Sequence, residues 1–222
     1  MIPELRRFGA SQSPVVTVDN FCPDLAALTA MAEALAPYPP AINHYPGVRR
    51  VVDTHDDGYG QIAALLKAAA PFIAGAYDID RFDLVEASFS MVTCPPGHLS
   101  IVQRAPHFDA TTPGFFAVML YLRNTAGTAF YRHRASGIER VTEANLPRFI
   151  AHAKQENIRS NAEYIHDSNP FYERIGMVEG LANRLVIYPG ALLHSGVITP
   201  GLPLSDDPRT GRLTANLFIR AG

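Results

Sequence analysis

Apolar residues recur at helical spacing in two early segments of the chain. Leu25, Leu28, Met31 and Leu35 share one face of a helix expected over residues 24–36, which Tyr38-Pro39-Pro40 closes. Ile62, Leu65, Leu66, Ala69 and Phe72 define a second helix over residues 61–74. Val15 to Val18 read as a short strand ahead of the first helix. The stretch up to Gly60, with NHYPGVRR and DTHDDGYG, reads as loop. From Phe82 the period becomes two: FDLVEASFSMVT alternates until Cys94-Pro95-Pro96-Gly97 stops it. Further β segments are expected at 98–104, 115–123, 128–133, 184–188, 193–198 and 212–220. Helices are expected at 143–156 and, more weakly patterned, at 172–181.

Two helices followed by β segments with a helical interruption predict a mainly β (α+β) chain, built as a sandwich or jelly roll. The expected layout is one domain: a helical flank over residues 1–80, then a β core over 82–220 with a helical insert at about 141–183. Composition agrees. The 222 residues are 47% hydrophobic and 18% charged, enough to bury a core, and the 18 prolines exceed the usual ~5% and favour turns over a bundle. A net charge of -2 argues against nucleic acid as the main partner. The two cysteines, Cys22 and Cys94, make no disulfide framework. MIPELRRFGASQSP has no apolar signal region, and no run of ~18 apolar residues occurs. A soluble, cytoplasmic protein with no membrane partner is therefore the expectation.

Candidate chemistry concentrates in APHFDAT. In an extended chain His107 and Asp109, two residues apart, project to one side while Phe108 faces away. A third ligand must come from elsewhere, and His194, at the start of a β segment after Pro189-Gly190, is the best placed. Two histidines and a carboxylate are the donor set of non-haem Fe(II) oxygenases, which keep coordination positions open. The plain alternative is a surface turn capped by Asp109. On the last expected strand Arg212, Thr214 and Asn216 share a face, which suits bidentate recognition of a carboxylate. The alternative there is an edge arginine reaching solvent.

The order of these motifs resembles the 2-oxoglutarate/Fe(II)-dependent dioxygenases, above all the prolyl-hydroxylase-like branch. PHFDA, FFAVMLYLRN, AGTAFYRH, LVIYPGALLHSGV and GRLTANLFI stand in that family's sequence, from about Phe89 to Ile219. The resemblance implies a double-stranded β-helix jelly roll and an oxygenase that hydroxylates a C–H bond with Fe(II), 2-oxoglutarate and O2. It implies that His107, Asp109 and His194 bind the iron and that Arg212, assisted by Thr214, pairs with the distal carboxylate of 2-oxoglutarate. Tyr121 and Thr128 would line the same pocket. The organic substrate would be a small molecule, an amino acid or a peptide side chain. Two features depart from the family pattern: the PGLPLSDDPRTG loop lengthens the gap from His194 to Arg212, and Ala126-Gly127 replaces a double glycine. The long gap leaves Arg209 and Arg220 as substitutes for Arg212. The presence of Asp109 disfavours halogenation.

A different class of protein also fits the residues: a cupin-like metal- or ligand-binding barrel without turnover. A structural jelly roll with a coincidental HxD pair is a third reading. Asp53, His55, Asp56 and Asp57 precede a helix and read as caps and solvated loop rather than ligands. His133 is a residue of the pocket or of its rim. His44, His98, His152 and His166 have no partner pattern, and Cys22 and Cys94 read as small buried hydrophobes. NHYPGVRR is a substrate lid or a packed loop.

Overall fold

The computed structural model describes residues 2–222. Seven antiparallel strands form a large sheet in the order β1-β2-β8-β5-β10-β4-β3. These are β1 (Pro3–Phe8), β2 (Ser13–Val18), β3 (Gly47–Val52), β4 (Phe82–Val92), β5 (Phe115–Tyr121), β8 (Leu185–Pro189) and β10 (Thr214–Ala221). Three more, β6 (Thr125–His133), β7 (Tyr172–Gly180) and β9 (His194–Gly196), make a small sheet in the order β7-β6-β9. No helix is long and apolar enough to cross a membrane among the described residues.

The alternation in β4, β5, β8 and β10 decides the layers. One face of the large sheet presents Phe89, Met91, Val118, Leu120, Ile187, Leu217 and Ile219 to the helices α1 (Leu25–Ala34) and α2 (Tyr59–Tyr77). From these helices Leu28, Ile62, Leu65 and Ile73 are fully buried, each contributing about 1.5–3 kcal/mol. Asp24 starts α1 by accepting a hydrogen bond from the Ala27 amide at 2.9 Å. The other face packs Met119, Tyr121, Val186 and Tyr188 against Phe130 and Val178 of the small sheet. The outer face of the small sheet, with Ala129, Tyr131 and Leu193, is covered by Phe149 and Ala153 of α3 (Leu146–Ile158).

Four segments differ from the sequence expectation. Residues 98–104 are not a strand but lie in two 3₁₀ turns, Pro96–His98 and Ile101–Arg104. A reciprocal cap, in which Gln103 Oε1 accepts from the Ser100 amide, starts the second of them. Residues 172–181 are not helical. They form β7, because pairing with β6 from Thr128↔Val178 to His133↔Tyr172 outweighs local helical spacing. The flank over residues 1–80 is not only helical: β1 and β2 pair at one edge of the large sheet, and β3 adds to β4 at the other. β3 was hidden inside the expected loop. Cys22 and Cys94 are free and only half-buried.

Gly127 holds the hinge of β6 at φ +110, a region closed to other residues, and a Cβ there would lie 1.9 Å from the Val178 carbonyl oxygen. Gly127→Ala is therefore expected to cost at least about 3 kcal/mol, read as a lower denaturation midpoint. An unchanged midpoint would show that β6 relaxes freely at this point.

Candidate metal centre

His107 and His194 meet through the backbone before their side chains do. They form an isolated antiparallel bridge, each amide donating to the other's carbonyl at 2.9 and 2.8 Å. The Asp109 amide donates to Gly190 at 2.7 Å, so the Pro189-Gly190 turn that positions His194 also fixes Asp109. Phe108 turns away and meets Phe149 edge-on at 6.1 Å, as the extended HxD geometry requires. Asp109 Oδ1 lies 4.0 Å from His107 Nε2, and Asp109 Oδ2 lies 3.6 Å from His194 Nε2. One donor atom from each residue falls within 4.8 Å of the others, and no further group of three such side chains occurs among the described residues.

The electrostatics fit a cation. His194 donates from Nδ1 to the Leu192 carbonyl at 2.7 Å, leaving Nε2 with its lone pair toward Asp109. Burial pushes His194 down to about 4, so the ring is neutral at pH 7. His107 is lowered too, by desolvation first and by the adjacent His194 second, with Asp109 opposing. With 56% of its side chain exposed, His107 keeps more of its hydration than His194 does. Burial raises Asp109 to about 6 against the pull of His107 and Arg49. Its Oδ2 is buried without a hydrogen-bond partner. A buried carboxylate with one oxygen lacking a donor, set between two imidazoles of which His194 presents a lone pair, is what a divalent ion would satisfy.

Beside this group the β4 and β10 part of the inner face is polar, with Ser88, Ser90, Thr214 and Asn216. Arg212 precedes β10 rather than lying within it, yet it is buried and donates from Nη2 to the Gly127 carbonyl at 3.1 Å. Its Nε has no partner, and its guanidinium stands 5.9 Å from the Tyr121 ring centroid. Tyr121 and Thr128 share a hydrogen bond of 2.6 Å, and Thr214 lies across from both Tyr121 and Ser90. Gly196 lets the guanidinium approach, since a Cβ there would sit 3.2 Å from Arg212 Nη2. Arg209 is instead exposed and paired with Asp207, and Arg220 is exposed.

Other candidates fall outside the site. Asp53 and Asp56 cap their own turn, Asp56 pairs with Arg50, and His55 is exposed. His133 faces neither the pocket nor its rim. Buried on the α3 side, it sits 2.5 Å from Glu156 Oε2 and 2.7 Å from Ser136 Oγ, between Phe149 and Tyr172. His133→Ala is expected to cost roughly 3 kcal/mol of stability by stranding Glu156 and opening a cavity. Metal affinity should stay unchanged; a drop in metal affinity at equal stability would place His133 in the site after all.

Sequence reasoning weighed NHYPGVRR as a substrate lid or a packed loop and gave Tyr45 and Arg49, which it contains, no individual role. The Tyr45 hydroxyl is buried beside Ser90 and Arg212 and feels the charges of Arg212 and Arg49. Arg49 reaches over the inner face to Ser88 and Glu86. The available signal was an aromatic and an arginine on the same side of a short β-capable run, four residues apart around Gly47.

The fold is that of solved non-haem, 2-oxoglutarate-dependent enzymes. HygX from Streptomyces hygroscopicus, crystallised with nickel and 2-oxoglutarate, superposes with a TM-score of 0.60 at 10% identity over 95% of this chain and 84% of that one. A Pseudomonas putida prolyl-4-hydroxylase gives 0.51 at 16% identity, over 96% and 95%. SnoN, a non-haem α-ketoglutarate-dependent epimerase from nogalamycin biosynthesis, gives 0.54 at 13%, over 95% and 79%. By sequence the chain belongs to the DUF6445 family, a family of unknown function whose profile matches residues 2–219. Comparison with curated proteins gives no match.

Proposed function

We propose that this protein is an Fe(II)/2-oxoglutarate-dependent oxygenase on a double-stranded β-helix jelly roll, hydroxylating a C–H bond of a small organic substrate. The observation that carries the reading is the convergence of His107, Asp109 and His194, with Asp109 Oδ2 buried and unpartnered. When bound, Fe(II) and 2-oxoglutarate would supply O2 activation, coupling decarboxylation to succinate with oxygen transfer to the substrate. The chain's part is to bind and orient. His194, held by Leu192, and Asp109, held by Gly190, present fixed donors, while His107 closes the set from the exposed side. Arg212 offers its free Nε to a distal carboxylate, and Tyr121, Thr128 and Thr214 supply hydroxyls beside it. The bound ligands of the structural neighbours support a small-molecule substrate: HygX has been solved with hygromycin B and SnoN with nogalamycin RO.

Anaerobic titration of the purified protein with Fe(II) and 2-oxoglutarate tests the reading. A weak visible charge-transfer band is expected only when both are present, because it requires them in one site. Saturating additions of both without a band would remove the oxygenase reading and leave a metal-binding barrel.

A further inference from the structure

The inner face of the large sheet carries a charge pair that is neither among the three metal-ligand candidates nor in direct contact with Arg212. Arg49, on edge strand β3, has a side chain only 13% exposed. It donates from Nε to Ser88 Oγ at 2.9 Å, and its guanidinium carbon stands 5.3 Å from the Phe218 ring centroid. Its Nη2 lies 2.5 Å from Glu86 Oε1, a direct charge contact. The Arg49 Nη1 makes no hydrogen bond to any described residue, and the Glu86 side chain is 37% exposed.

The register brings this pair onto the side of the site. Ser90 faces Thr214, Ser88 faces Asn216 and Glu86 faces Phe218 across the β4/β10 ladder. A β-bulge at Phe218 leaves Val85 as an extra residue there. Phe218 stacks on Phe115 at 5.7 Å. Phe115 in turn covers Gly190, where a Cβ would sit 2.7 Å from its ring and 3.3 Å from Asp109 Cβ. Contacts thus run from Arg49 through two aromatic rings to the Asp109 ligand.

We infer that the organic substrate is a zwitterionic amino acid, its carboxylate taken by Arg49 and its ammonium by Glu86, with its side chain against Phe218. The inference rests on the oxygenase reading and goes beyond it in naming the substrate class. The charge arrangement selects for it. A simple anion at Arg49 meets the adjacent Glu86 carboxylate, and a simple cation at Glu86 meets the guanidinium, so each is opposed at short range in a partly dry site. An α-amino acid carries both charges on one carbon, side by side like the protein's own pair, and the four charges alternate.

The test is calorimetric titration with the free α-amino acids, on metal-free protein and on protein loaded anaerobically with Fe(II) and 2-oxoglutarate. At least one amino acid should bind. Its N-acetyl and amide derivatives, each lacking one charge, should bind at least about tenfold more weakly. Arg49→Gln and the shape-conserving Glu86→Gln should each weaken it about ten- to a hundredfold, with the Fe(II)/2-oxoglutarate band retained in Glu86→Gln. A band without binding of any free amino acid, or capped derivatives that bind equally well, would overturn the inference and leave the oxygenase standing. Amino-acid binding without a band would uphold the recognition by Arg49 and Glu86 and remove the oxygenase.

Discussion

Asp109→Asn is expected to abolish succinate formation and weaken Fe(II) binding by more than the ten- to hundredfold typical of losing an outer-sphere partner, while making the metal-free protein more stable. The two effects share one cause. Asp109 is buried with Oδ2 unpartnered, and its pKa is raised from 3.8 to about 6. A carboxyl raised in the folded state opposes folding once it ionises. The penalty is absent below the unfolded value near 3.8, grows as pH rises, and is complete above about 6. At pH 7 asparagine removes a penalty on the order of 1–3 kcal/mol, and at pH 3.5 the two proteins should melt together. Melting curves of the metal-free pair at both pH values, with Fe(II) titrations beside them, check it. Retained Fe(II) affinity would mean that Asp109 is no ligand, and a melting point lowered at pH 7 would make it a structural cap.

The second large effect concerns Arg212. Arg212→Lys is expected to weaken 2-oxoglutarate binding by about 30- to 5000-fold, the range for truncating a buried charge partner, with metal affinity nearly intact. Lysine cannot hold the Gly127 carbonyl and still offer a second N–H in the plane that Arg212 Nε occupies. Separate titrations with Mn(II) and 2-oxoglutarate distinguish the cases. An equal loss of both would make Arg212 a residue of the fold rather than of the pocket.

The HxD pair was legible in the sequence because its geometry is local: two residues of extended chain fix which way His107, Phe108 and Asp109 point. The alternation of β4 and β10 was legible for the same reason, which put Arg212 and Thr214 on one side even though the strand begins only at Thr214. β3 was not legible. It is an edge strand whose partner, β4, lies some forty residues on, and its Pro46-Gly47 start imitates a turn. That concealed the placement of Arg49 opposite Ser90, within a segment read as a substrate lid or a packed loop. β7 was misjudged because the spacing in YERIGMVEG suits a helix, and only β6 makes it a strand. His133 shows the limit from the other side: its strand was expected, but its partner Glu156 comes from α3, and periodicity does not specify helix docking.

β10 lies in the middle of the large sheet, between β5 and β4, although it is the last strand in the chain. During synthesis on a ribosome, β4 and β5 emerge long before the strand that joins them. Until residues 214–221 leave the exit tunnel, the sheet consists of two separate halves with open inner edges. Nascent chains stalled ahead of Thr214 would be sticky, open to proteolysis and suited to chaperone capture. Thr214, Asn216 and Phe218 arrive on the same strand, so the pocket matures in the step that completes the sheet.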